Sequence, residues 1–169
     1  MPMTEFNSPV PFPAADAAAP EPYREFYGMP MFVTVTTGDM ERSKEFWLRG
    51  LGFIDLFSIP GQVTHLRRRA FQDVLLVPGE KSGSGAGGGS GVSTSFACVL
   101  GQIDEIAERC ERLVPGCTQG PEEKPWNSIE LTVVTPEGAR VVMTAAEPLE
   151  PRSAKADELR APGFRIPGD

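Results

Sequence analysis

The feature that most constrains this chain is a repeated order of elements. Two stretches each read as a short strand turning at once into an amphipathic helix: "MFVTVTTGDMERSKEFWLRG" at residues 31–50 and "STSFACVLGQIDEIAERCERLV" at 93–114. In the first, Met31, Val33 and Val35 alternate with Phe32, Thr34 and Thr36, the period of a strand. Asp39 stands where a helix N-cap belongs, Met40, Phe46 and Trp47 make an apolar stripe, and Gly50 stops it. In the second, Phe96, Cys98 and Leu100 share a strand face, and Ile103, Ile106, Ala107, Cys110 and Leu113 share a helix stripe. Sliding one half over the other superposes Gly38 on Gly101 and Asp39 on Gln102. Three strand-like runs follow each helix: "GFIDLFSI", "QVTHLRRRA" and "FQDVLLVP" in the first half, then a Pro/Gly-broken edge near "CTQG", "NSIELTVVT" and "ARVVMTAA" in the second. The duplication predicts an α+β fold of two βαβββ modules. Neither four-stranded sheet buries both faces alone, so the modules are expected to pair into a cup-shaped sheet.

Composition sets the boundaries. Of the 18 glycines and 17 prolines among the 169 residues, ten of each lie outside the modules. The reading is a flexible N-terminal extension over 1–28, a first module over 29–78, a Gly/Ser-rich linker over 79–91, a second module over 92–147 and a C-terminal tail over 148–169. Isolated aromatics in the two ends (Phe6, Phe12, Tyr23, Phe26, Tyr27, Phe164) are candidates to pack on the body or on a partner subunit. A net charge of −7 argues against nucleic acid or an anionic membrane as partner. No apolar run is long enough to span a bilayer, and no basic segment followed by an apolar one opens the chain, so a cytoplasmic protein is expected. Cys98, Cys110 and Cys117 lack CxxC spacing and read as reduced, buried apolar residues. The "RRR" of Arg67–Arg69 reads as a solvated strand edge.

Paired βαβββ modules with a Gly-Asp turn into "ERSKEFW", a "GLGF" exit at Gly50–Phe53 and a closing "TPEGARVVM" hairpin resemble the vicinal oxygen chelate superfamily. That superfamily includes glyoxalase I, extradiol dioxygenases, fosfomycin-modifying enzymes and bleomycin-resistance proteins. The resemblance covers about residues 30–147. It implies a cup whose metal enzymes take ligands from the two first-position and two last-position strands. Carried across, those positions are Phe32, Leu75, Ser95 and Val142. Only one of them offers a donor, so no metal and no other cofactor is expected. The chain then resembles the metal-free, bleomycin-resistance-like branch. This implies a homodimer binding a small molecule in a groove between subunits.

Strand alternation supplies the cup lining. Thr34 and Thr36 share a face with Phe32, Ala97 and Val99 with Ser95, Arg140 and Thr144 with Val142, and Asp73 and Val77 with Leu75. On the "NSIELTVVT" strand, Ile129, Leu131 and Val133 are expected to meet a helix, leaving Ser128, Glu130, Thr132 and Val134 facing inward. Unpaired polar groups are costly in a dry core, so this mixed lining argues for a ligand or a wet cavity. The ligand-binding candidates are Phe32, Thr34, Ser95, Trp126, Glu130, Thr132 and Arg140, with Trp126 as an aromatic on the rim. Glu130 and Arg140 also admit a plain cross-strand ion pair. Two functions are expected from this lining. One is sequestration of an aromatic or cationic metabolite or antibiotic. The other is a metal-independent isomerase, cyclase or lyase step, with Glu130 or Asp73 as general base and Arg140 as oxyanion partner.

Overall fold

The computed structural model describes residues 14–80, 92–163 and Ile166. Most of the expected Gly/Ser linker and the outer parts of both ends lie outside the described residues. The first module runs β1 (Val33–Thr37), α1 (Met40–Glu45), a π-helical turn (Phe46–Gly50), β2 (Ile54–Ile59), β3 (Val63–Arg67) and β4 (Asp73–Pro78). The second runs β5 (Thr94–Cys98), α2 (Leu100–Leu113), β6 (Thr118–Lys124), β7 (Ser128–Val134) and β8 (Arg140–Ala146), and α3 (Ala154–Arg160) follows. The sheets have the same order, β1-β4-β3-β2 and β5-β8-β7-β6, with β1–β4 and β5–β8 parallel and the other pairs antiparallel. This is the expected two-module α+β architecture.

Local chemistry explains the helices. Asp39 accepts a hydrogen bond from the Arg42 amide at 3.0 Å and caps α1. The helix then widens into the π-helical turn, so the adjacent Phe46 and Trp47 are both 1% exposed. Gly50 closes that turn against α2, where a Cβ would stand 3.2 Å from Cys110 Sγ. Helix α2 buries Ile103, Ile106 and Cys110 at i, i+3 and i+7.

One core joins the modules. Leu66, Val74 and Leu76 of the first sheet and Leu131, Val133, Val141 and Met143 of the second belong to a single buried cluster with Phe46, Trp47 and Phe53. Phe96 of β5 meets Phe53 and Trp47 edge-on, with ring centres 5.2 and 6.4 Å apart. Two polar latches reinforce the joint. Glu137, in the β7–β8 turn, accepts from Trp47 Nε1 at 2.5 Å and from Ser43 Oγ at 2.9 Å, and Ser43 Oγ lies 2.7 Å from Thr37 Oγ1. Arg68 donates to Leu51 O, Ala97 O and Gln102 Oε1 at 2.9–3.2 Å.

The arginine run departs from its expected solvated edge. β3 lies inside its sheet, and Arg67 and Arg68 are 1% and 2% exposed. Arg67 is paired with Asp73, while Arg68 has only neutral acceptors. Burial first, then the positive charge of Arg69 and Arg109, pushes the Arg68 pKa down to about 10.

Candidate functional site

Each sheet turns one face to the helices and the other away from them. In the first, Val33, Val35, Leu66, Val74 and Leu76 face the core. The register puts Thr34, Leu75, His65 and Phe57 in one row on the opposite face. In the second, Ser95, Val142 and Thr132 form the corresponding row. The inward and outward sets read from alternation therefore coincide with the observed register on β7 and β8. The four positions that the resemblance marks for a metal gather little: Leu75 and Val142 are apolar, Phe32 precedes β1, and Ser95 brings one hydroxyl. Among the described residues no three His, Cys, Asp or Glu side chains converge on a point. The donor set does not fit a divalent ion.

The candidate residues fall into two groups on different sheets. On the second sheet, the hairpin turn between β6 and β7 presents Trp126, 57% exposed. Its indole Nε1 donates to Glu130 Oε1 at 2.8 Å, and Ser128 Oγ approaches the same oxygen at 3.4 Å. Asn127, at φ 64, makes the turn that lifts Trp126 beside the strand. It anchors there through its Nδ2, which donates to Glu147 O at 2.7 Å. Thr132 lies two residues further along the same face, opposite Val142. Arg140 is exposed and stands opposite Val134, while Glu130 stands opposite Thr144, so the cross-strand ion pair is not formed. Glu122 faces Glu130 across β6–β7 and is neutralised by Lys124. The result is an open sheet face with a tethered, exposed indole and a half-buried carboxylate.

On the first sheet, Phe32 meets the His65 ring edge-on at 5.2 Å and Thr34 is exposed. Asp73 is enclosed: its Oδ1 takes His65 Nε2 at 2.7 Å and Arg67 Nε at 2.8 Å, and its side chain has no exposed surface. His65, the one histidine of the sequence, is not among the residues that strand alternation alone singles out. Its signal was position, since it sits two residues before Arg67 on a strand that pairs with the one Asp73 begins. No hydrogen bond or ring contact among the described residues joins this group to the Trp126 group. No helix among them is long and apolar enough to cross a membrane.

No protein-family model and no curated protein matches the sequence. Solved structures do match the fold. The fosfomycin resistance protein FosX from Mesorhizobium loti is 15% identical, with a TM-score of 0.55, and the match covers 72% of this chain and 94% of that one. TioX from Micromonospora sp. ML1 is 20% identical with a TM-score of 0.52, covering 70% of this chain and 98% of that one. A lactoylglutathione lyase from Agrobacterium tumefaciens is 18% identical with a TM-score of 0.52, covering 70% and 94%. At such identities the likeness establishes fold, and chemistry must be argued from the site.

Proposed function

From the premise that this chain has the vicinal oxygen chelate fold, we propose that it is a metal-free, cytoplasmic small-molecule binding protein. It would sequester an aromatic or cationic metabolite or antibiotic. The observation that carries this reading is the Trp126–Glu130 pair on an otherwise open sheet face. An exposed indole held in place by a carboxylate gives a flat or positively charged ligand a stacking surface beside a negative charge. Thr132 and Ser95 add hydroxyls to the same face, and Arg140 offers a cation at its end. The missing wall is assigned to a second copy of the chain. β1 and β5 are both edge strands, and Phe57, Ile59 and Val134 expose more than 40% of their surface. A homodimer that sets the first-module face of one copy, with Phe32 and Thr34, against the second-module face of the other covers both. The alternative, proton transfer by Glu130 or Asp73 with Arg140 beside it, is less favoured. Arg140 is not near Glu130's strand partner, and Asp73 is enclosed.

The test is a ligand screen read by isothermal titration calorimetry on the wild type and on Trp126→Ala, because removing Trp126 leaves only the buried Trp47 as an indole. Trp126→Ala is expected to weaken binding of an aromatic cation about tenfold, the equivalent of about 1.4 kcal/mol, with the fold intact. Glu130→Gln is expected to weaken a cation selectively over a neutral isostere. Binding unaltered in both variants contradicts the assignment.

A further inference from the structure

The N-terminal segment does more than lead into β1. Residues Tyr23–Tyr27 cross the cup face of the first sheet at the ends of β3 and β4, and Arg67 is the peg that holds them. Its Nη1 donates to Tyr23 O at 2.9 Å and to Glu25 O at 2.7 Å. Its guanidinium lies 4.3 Å from the centre of the Tyr27 ring and 5.7 Å from that of Tyr23. Tyr23 stacks on Tyr27, and Tyr27 on Phe71 with ring centres 4.5 Å apart. The Phe71 amide donates to Tyr27 Oη at 2.5 Å. Phe71 holds φ 63, a left-handed conformation an aromatic residue adopts at a cost, and is 67% exposed.

Beneath this strap, Asp73 spends one carboxylate oxygen on two donors and leaves the other, Oδ2, buried without a hydrogen-bond partner among the described residues. A buried carboxylate oxygen in that state is an unmet demand for an N–H or O–H group. Tyr27, whose Oη meets the Phe71 amide, feels the Asp73 charge: burial first, and then the Asp73 carboxylate, raise its pKa.

We propose that the strap is a displaceable internal occupant of a binding site on the first module. That site takes a flat aromatic molecule carrying both a carbonyl oxygen and an N–H donor. Lifting the strap leaves four unmet preferences close together. Phe71 offers a ring to stack on and a backbone amide seeking an acceptor, Arg67 Nη1 seeks a carbonyl oxygen, and Asp73 Oδ2 seeks a donor. The strap satisfies most of them with a tyrosine ring and two peptide carbonyls, so a tyrosine-like small molecule is its chemical equivalent. This site lies wholly on one module and does not depend on the Trp126 face.

The test uses the full chain and N-acetyl-L-tyrosinamide as probe, with affinity read from NMR line broadening of the probe and strap opening from the rate of trypsin cleavage after Arg24. A closed strap lowers apparent affinity by the fraction of open molecules. Tyr27→Ala is therefore expected to speed cleavage at Arg24 at least tenfold and to tighten probe binding by a similar factor. Phe71→Ala is expected to speed cleavage equally while binding the probe no better than the wild type, because the stacking wall is gone. The gain in probe affinity from Tyr27→Ala is expected to be the same in a Trp126→Ala background, which separates this site from the one proposed above. Equal cleavage in the wild type and Tyr27→Ala overturns the proposal. So does a Tyr27→Ala chain that is cut faster yet binds the probe no tighter, which makes the strap a structural brace.

Discussion

Replacing Glu137 by Ala probes the joint between the modules through one carboxylate. Glu137 is 7% exposed, and its two oxygens receive Trp47 Nε1 and Ser43 Oγ, two first-module groups 90 and 94 residues away in the chain. In Glu137→Ala the Ser43 hydroxyl keeps Thr37 Oγ1 as a partner, but the buried indole N–H has none. Leaving a buried donor unpaired costs about 1–3 kcal/mol, and losing a charge-assisted bond adds to that. The expected loss is about 2–4 kcal/mol, or about 5–15 °C in Tm for a domain of this size. Glu137→Gln separates the hydrogen bonds from the charge. Its amide oxygen still accepts from Trp47 and its NH2 donates to Ser43, so about 1 kcal/mol is expected. Urea unfolding followed by far-ultraviolet circular dichroism reads both variants. A Glu137→Ala protein within about 0.5 kcal/mol of the wild type refutes the latch, as does a Gln variant as unstable as the Ala one, because then the hydrogen bonds are not what holds the joint.

Burial raises the pKa of all three thiols, with Cys110 pushed up to about 12 from its usual 9.0. A thiol neutral in the fold keeps a proton that the unfolded chain releases, so its stabilisation is full below pH 9 and is lost as the pH climbs toward 12. Denaturant midpoints are expected to fall between pH 9 and 11 and to fall less in Cys110→Ala, and a flat profile over that range contradicts the burial account. The same burial predicts slow labelling of all three cysteines by a thiol reagent at pH 8 in the native protein, with fast labelling after denaturation.

The alternation of "NSIELTVVT" and "ARVVMTAA" gave away which residues face the helices, because a strand buried on one side leaves a period of two in the sequence. Leu131, Val133, Val141 and Met143 are buried accordingly. The capping role of Asp39 and the stripe of α2 were legible for the same local reasons. The burial of Arg67 and Arg68 was not. Charged runs resemble exposed edges, and what neutralises or satisfies these two lies elsewhere, in Asp73 across the hairpin and in carbonyls of the other module. Glu137 looked like an ordinary turn residue in "PEG", since nothing local announces an indole 90 positions away. Trp126 was legible as a rim aromatic, but its bond to Glu130 needed the turn at Asn127 to be seen. Alternation gives Phe32 and Trp126 to one cup lining, while in the chain Phe32 leads into β1 of the first sheet and Trp126 lies in the β6–β7 turn of the second. Alternation assigns faces and cannot say which faces meet.

The central claim is that this fold works here as a dimeric binder without a metal. Native mass spectrometry on protein gently purified from its own cells tests it most directly. The account predicts a dimer whose mass includes an organic adduct and no stoichiometric metal. A dimer holding one zinc, nickel, iron or manganese ion per chain would contradict it.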